Sequence, residues 1–520
     1  MTAPRREVWL AVGLAAVAAF VFVPAVRGPW IFDDHPLIEG NRQLHSLGNA
    51  SSWLAHDFWH GAGLASSLHY WRPLVSASYA VDWTLGGGQP LQFHLTNLLL
   101  HAAVALGVLA TLRRWTALVP SAFAGALLWA VHPTKAENVA WISGRPDLLC
   151  VAFVLIAAAG IARRLRGART SGIVLEVLGT AGAYLCKELA VVLPVFAAVE
   201  AWVAAGRPAI DRALVRPLAR AMAPQVIVAV AYLAIRTVWL PIGGAAGAHG
   251  IIAHVRAVLD TYGRYVALVL APHDLSMQRA LLRSHDGSLR DPALYAVLGG
   301  IALVATLAAV VALRKRFPAG AVGLAVFVVT LAPTLNLLQS NQQTLVAERF
   351  LYLPTLGLAL VIAAIPAFAQ RRVQLLLAAV ALALVAQTLS RSADFADEDQ
   401  FWKRELAMHP ESAAALDYTL STSITSSLLA RIADADRRDA DRATFAADVL
   451  DLLVRTISDR DPAALRALDR RAVALLAQRA PSTSLDALGI AVPIDMTGAF
   501  SARLPAVAAR IEAARAELAG

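Results

Sequence analysis

Charge is what this 520-residue sequence lacks most: Asp, Glu, Lys and Arg make up 16 % of it and hydrophobic residues 58 %. A soluble domain carries about 25 % charged residues. The shortage excludes an ordinary soluble enzyme. Unbroken apolar runs exclude a disordered chain and a porin-like barrel, whose strands alternate in polarity. Cysteine is nearly missing as well. Cys150 and Cys186 lie in apolar segments and offer neither a CxxC spacing nor a disulfide framework. Lysine is confined to Lys135, Lys187, Lys315 and Lys403 among 46 basic residues. The excess of arginine, with abundant alanine, reads as GC-rich coding and points to a bacterial source. There is no Walker loop and no Gly-x-Gly-x-x-Gly after a strand, so a nucleotide is not expected as direct substrate.

What is present is a series of apolar segments separated by basic or aromatic loops. The expected fold is all-α: a polytopic membrane protein of about eleven transmembrane helices with a C-terminal soluble helical domain. The spans read as 7–26, 93–112, 117–133, 147–162, 171–186, 189–203, 223–240, 291–313, 318–338, 350–370 and 373–390. The first follows Arg5-Arg6 and lacks a small-residue cleavage site, so it reads as an uncleaved helix. Arg113-Arg114, the cluster Arg163 to Arg169, Arg207 to Arg220, Arg314-Lys315-Arg316 and Arg371-Arg372 fall at alternate connections. Basic loops mark the cytoplasmic side. The expected location is therefore the inner (cell) membrane, with the N-terminus cytoplasmic and the C-terminus outside. The apolar segment 251–272 carries Arg256, Asp260 and Arg264. A crossing there would turn Arg314-Lys315-Arg316 outward, so it reads as a helix lying on or dipping into the outer face.

Two domains follow: 1–390 in the membrane, with a long outer loop over 27–92, and 391–520 outside. The latter holds 16 basic and 20 acidic residues, net −4, and the rest of the chain is net +13. Orientation accounts for the basic balance, and no nucleic-acid partner is expected. Within 391–520, apolar residues recur at helical spacing. The stretch Phe401 to Leu420 reads as one degenerate tetratricopeptide-like junction or part of a helical bundle.

The outer side gathers the chemistry. Asp33 and Asp34, in Trp30-Ile31-Phe32-Asp33-Asp34-His35, place two carboxylates at the mouth of the first span. Charge beside hydrocarbon is costly, and an adjacent pair can divide its roles, one taking a proton and the other orienting it or holding a divalent cation. His56 and His60 stand at i, i+4 as a metal pair would, but no third ligand is evident. The aromatic stretch 50–85 reads as a helix lying in the interface. Arg72 among its aromatics suits a phosphate. The loop His132 to Asp147, with Glu137 and Arg145, is more charged than a turn requires. Lys187-Glu188 and Glu348-Arg349 stand at the outer tips of further spans. Cations of this kind suit a membrane-embedded lipid-phosphate sugar donor, with a carboxylate base for an acceptor hydroxyl.

The runs FDDHPLI, HDFWHG, YWRPL and QPLQFHLTNLLLH, then HPTKAENVAWISGRPDLL, CKE and ERFLYLP, occur in this order. They resemble the O-mannosyltransferases that carry transmembrane and tetratricopeptide-repeat regions, a family of the GT-C glycosyltransferases. The resemblance covers roughly residues 1–420. It implies a hexosyltransferase using a polyprenyl-phosphate sugar, mannose in the family, and working outside the cytoplasm with inversion at the anomeric carbon. It implies a base in the acidic pair, Asp33 before Asp34. It makes Arg72, Lys187 and Arg349 the candidate phosphate contacts, with His132, Glu137, Arg145, Asp147 and Glu188 as further substrate-binding candidates. The family's long repeat array is not matched here, which leaves a protein, glycan or lipid acceptor open. In a bacterium the carrier would be undecaprenyl phosphate. Two other readings share the outer-face cations: a glycan ligase or polymerase using a lipid diphosphate, and a non-enzymatic lipid or sugar transporter.

Overall fold

A computed structural model describes residues 3–408 apart from 63–69, 117, 207–214, 240–250, 274, 278–291, 336 and 338–345. Among the described residues every regular element is helical. In chain order the α-helices are α1 Ala3–Phe20, α2 Ala50–Ala55, α3 Pro73–Gly86, α4 Pro90–Trp115, α5 Val119–Ala130, α6 Ala136–Val139, α7 Arg145–Leu165 and α8 Arg169–Tyr184. They continue as α9 Leu193–Ala204, α10 Val215–Trp239, α11 Ile251–Leu270, α12 Pro292–Leu313, α13 Pro318–Leu331, α14 Thr355–Ala363, α15 Arg371–Asp394 and α16 Glu398–Met408. Each of the eleven expected spans holds one of these helices. Among the described residues, five segments are long and apolar enough to cross a membrane: Pro90–Trp115, Ile142–Leu165, Val215–Thr237, Leu294–Leu313 and Arg371–Asp394.

The chain divides into two compact units. One comprises Met1–Met277 with Asp291–Glu398, the other Gln278–Arg290 with Asp399–Gly520. In the second, the described residues are 399–408, where Lys403 pairs with Asp399 at 3.3 Å and Phe401 meets Trp402 edge to face at 5.1 Å. The degenerate-repeat reading of 401–420 and the remainder of the terminal domain lie, beyond Met408, outside the described residues.

Small residues bring the helices of the first unit together. A Cβ on Gly179 of α8 would stand 2.5 Å from the Ala157 backbone nitrogen of α7. One on Gly299 of α12 would run into the Leu259 carbonyl of α11. In hydrocarbon, association gains from such close backbone approach, because apolar side chains meet lipid as readily as each other. Prolines open many helices, as Pro73 does α3 and Pro90 does α4, where a missing N–H costs nothing. Arginines close α4 and α7, and their charge suits the negative end of the helix dipole. From there they reach the acids that interrupt the apolar spans. Arg114 binds Glu200 at 3.0 Å and Arg164 binds Glu176 at 2.5 Å, both acids being buried. The two mid-span carboxylates are thus paired with arginines of the basic connections.

The stretch 50–85 differs from a single interfacial helix. It contains the short α2 and the separate α3, and α3 buries Val75, Ser76, Tyr79, Ala80 and Asp82. Its polar Asp82 faces inward because an arginine partner waits there. Helix α11 is tied along its length to segments expected on the outer side: His254 contacts the Leu337 carbonyl at 3.2 Å, Tyr265 accepts from the Ala347 N–H at 3.4 Å, and the Val269 carbonyl meets His132 at 3.1 Å.

Candidate active site

The site begins with the turn after α1. Asp34 is 1 % exposed, and its carboxylate is fully engaged. Oδ2 accepts from the Ile31 N–H at 3.1 Å, and Oδ1 accepts from the Ser143 N–H at 2.8 Å and from the Ser143 hydroxyl. The Trp141 indole N–H also bonds the Ile31 carbonyl at 3.1 Å. The turn is therefore fastened to the loop between α6 and α7. Asp33 stands beside it, half-buried, and among the described residues no hydrogen bond reaches its carboxylate. Burial raises Asp33 from 3.8 to about 7, and the Arg349 charge pulls the other way. Asp34 also rises to about 7 by burial, against its bonds to Ser143 and Ile31. Two neighbours that carry the same charge are thus unlike in circumstance: one is locked, the other is open.

The Arg349 charge acts on Asp33, and in the neighbouring loops Arg349, Lys187 and Arg72 are each oriented by a carboxylate. Arg349, in the 3₁₀ turn Glu348–Leu351, binds Glu137 through its guanidinium, and Glu137 also accepts the Arg349 backbone N–H at 2.9 Å. Lys187, just before the 3₁₀ turn Glu188–Val192, bonds both oxygens of Asp147 at 2.7 Å. Arg72, the cap of α3, binds Glu188 at 3.0 Å and lies over the Tyr70 ring at 4.2 Å. Burial pushes the Glu188 carboxyl up, but the Arg72 guanidinium, a backbone N–H and the Lys187 charge together hold the group below its usual range. The cations share an aromatic surround, Lys187 at 5.3 Å and Arg349 at 5.0 Å from the Phe350 ring centre. A guanidinium carries five donors and an ammonium three, so each keeps donors beyond those its carboxylate takes. The arrangement suits an anion with several oxygens beside an unbonded base.

Arg145 and His132 stand apart from this group. Arg145 is fully buried, ion-paired with Asp82 at 2.6 Å and bonded to Asn97 at 2.7 Å and the Phe93 carbonyl at 2.9 Å, so it joins α3, α4 and α7. His132 is occupied by Thr134 at 2.8 Å and the Val269 carbonyl. The acidic pair is poorly arranged for a divalent cation, because three donors already hold Asp34. No group of three His, Cys, Asp or Glu that could hold an ion occurs among the described residues. His56 and His60 stack ring on ring at 3.9 Å, which sets their in-plane lone pairs side by side instead of converging. Sequence reasoning missed Ser143 as the holder of Asp34, although it stands in the quoted ISGRPD run. It also missed Asp82 as the partner of Arg145, and nothing local signals that pairing.

Among curated proteins, the chain is 32 % identical over 203 residues to the human protein O-mannosyl-transferase TMTC4, covering 35 % of this chain and 27 % of that one. It is 30 % identical over 183 residues to Drosophila melanogaster protein O-mannosyl-transferase Tmtc1, covering 34 % and 21 %. It is 36 % identical over 148 residues to mouse protein O-mannosyl-transferase TMTC1, covering 27 % and 16 %. The chain spans about a quarter or less of the length of these relatives. They belong to the family that the motifs resemble. No protein-family model and no solved structure matches the chain.

Proposed function

We propose that the chain is an integral-membrane glycosyltransferase that moves a sugar, mannose by analogy with its relatives, from a polyprenyl-phosphate carrier to a hydroxyl of an acceptor protein. The observation that carries this reading is the half-buried, unbonded Asp33 carboxylate beside Arg349, with Arg72 and Lys187 in the same set of loops. The names of the relatives favour a protein acceptor. Eleven crossings, with the site and residues 391–520 outside the cytoplasm, complete the proposal.

In the reaction, the acceptor oxygen attacks the anomeric carbon while Asp33 takes its proton. The bond between that carbon and the phosphate oxygen breaks, and the phosphate keeps the electron pair. Arg72, Lys187 and Arg349 stabilise the charge gathering on it, which is where preorganised donors help most. The nucleophile enters opposite the leaving group, so the anomeric configuration inverts. A base works best when its pKa lies near the working pH, and burial has brought Asp33 to about 7. Asp34 holds the turn and takes no part in the bond changes. Glu176 and Glu200, which a transporter would keep available at mid-span, are paired with arginines, and that favours the enzyme over the transporter.

The test is transfer of labelled sugar from a panel of polyprenyl-phosphate donors by the purified full chain in lipid, with an envelope protein extract as acceptor. Wild type should label protein, and Asp33→Asn should lower the rate about 10²- to 10⁴-fold at equal protein level. Transfer from none of the donors by well-folded wild type would overturn the reading.

A further inference from the structure

The turn bearing Asp33 is gripped from two sides. Ser143 holds it through Asp34. On the other side stands Glu398, the first residue of α16. Its Oε1 accepts from the Phe32 backbone N–H at 3.3 Å. Its two oxygens lie 3.3 and 3.1 Å from His35 Nε2. One carboxylate, 363 residues along the chain from His35, thus bonds both neighbours of the acidic pair.

Phe32 makes that grip consequential. It has φ +54° and is the one non-glycine residue at positive φ among the described residues. A bulky L side chain is rare there, because its Cβ crowds the backbone carbonyl oxygens. Such a conformation persists only where the surroundings over-determine it, and it clusters at functional sites. φ is rotation about the bond from N to Cα. The Phe32 N–H lies before that bond, and Asp33 and His35 lie after it. Glu398 therefore holds the chain on both sides of the strained torsion. If the torsion relaxed to negative φ, Asp33 would swing away from its present place beside Arg349. His35 is engaged at its other nitrogen by Glu39 at 2.6 Å, so two carboxylates hold its ring.

We infer that Glu398 is a positioning residue: by bonding the Phe32 N–H and His35 on opposite sides of the strained Phe32 torsion, it fixes the direction in which Asp33 is presented. The inference rests on the reading of Asp33 as the base. It accounts for a bond between the first outer loop and the far end of the membrane unit that packing alone does not require. It also explains why a phenylalanine is tolerated at positive φ.

The experiment compares steady-state transfer by the purified full chain in lipid for wild type, Glu398→Ala, Glu398→Gln, Phe32→Asn and Phe32→Asn/Glu398→Ala. Misplacement of a reacting group by about 1 Å costs about 10²-fold. Glu398→Ala should lower kcat about 10- to 100-fold with the donor KM within about threefold of wild type. Glu398→Gln keeps an acceptor for Phe32 but loses the charge opposite His35, and should fall between. Asparagine adopts positive φ more readily than phenylalanine. In the Phe32→Asn background, loss of Glu398 should therefore cost less than about threefold, a rescue that a merely structural role would not give. If Glu398→Ala does not remain folded, Glu398→Gln and the Asn pair decide. A kcat within twofold of wild type for a folded Glu398 variant overturns the inference. So does an undiminished penalty in the Asn background, or a donor KM that rises in step with the loss of kcat. A wild type that transfers nothing counts against the glycosyltransferase reading itself, whereas an active wild type matched by Glu398→Ala overturns only this inference.

Discussion

Asp33 and Asp34 are the same residue type one peptide apart, and their surroundings separate them. Replacing Asp33 with asparagine removes a carboxylate that, among the described residues, no hydrogen bond holds and whose charge burial disfavours, so the melting temperature should not fall while turnover does. Asp34→Asn puts an amide where the Ile31 and Ser143 N–H groups and the Ser143 hydroxyl all donate. One donor then faces another, at a cost of about 1–3 kcal/mol. A thermal melt should register that loss, and equal melts for the two variants would erase the division of roles. The pH response carries a definite sign. Burial raises both carboxyls from 3.8 to about 7, so they titrate as a pair. With Asp33 as the proposed base, protonated and idle below that pH, kcat should climb about tenfold per unit up to near 7 and then level. The stability gained by keeping these groups neutral runs the other way. It is complete below the unfolded value near 4 and is lost as pH rises through about 7. A flat kcat profile between pH 5 and 8 would remove Asp33 as the base. His35 behaves differently: its bond to Glu398 lifts it from 6.5 to about 9. Its share of stability is present in full below about 6.5 and fades as pH rises through 9.

At the scale of elements, two arginines that the sequence placed together have separate tasks. Arg145 joins α3, α4 and α7 through Asp82, Asn97 and the Phe93 carbonyl. Truncating it strands a buried carboxylate, a loss of about 3–5 kcal/mol. Arg145→Ala should therefore reduce the yield of folded protein, whereas Arg72→Ala should fold normally and raise the donor KM. Size-exclusion profiles beside donor titrations separate the two, and a folded Arg145→Ala with a raised KM would return Arg145 to the site. The helices themselves were legible, because a run of apolar residues between basic loops has few other uses, and all eleven expected spans hold one. The burial of α3 was not legible. Its tryptophan and tyrosine pattern suits a membrane interface as well as a protein interior, and Asp82 argues for water until its partner is known. Partner choice was the least legible feature. Ser143 meets Asp34 across 109 residues and Glu398 meets His35 across 363, and local composition does not record such pairings. The motif blocks named the residues of the candidate site but not the partners that hold them.

For the whole molecule, the decisive question of topology is whether α11 crosses the membrane. Its 20 residues are long enough, but Arg256, Asp260 and Arg264 interrupt its apolar run, and Asp260 is buried against Arg264 at 2.8 Å. Its three ties run to Leu337, Ala347 and His132, all in or beside loops expected outside. If those loops share one side, a helix held along its length by them would not deliver the chain to the other. Counting α11 out leaves Arg166 and Lys315 on one side and the opening loop on the opposite side, in keeping with the positive-inside rule. Both native cysteines are fully buried and should give no background in labelling with a membrane-impermeant maleimide on intact cells. Ser51→Cys, exposed in the first loop, should then label, and Arg166→Cys and Lys315→Cys, also exposed, should label only after permeabilisation. Lys315→Cys labelling from outside while Arg166→Cys stays protected would mean that α11 crosses. The terminal domain would then lie on the cytoplasmic side, away from any acceptor presented to Asp33.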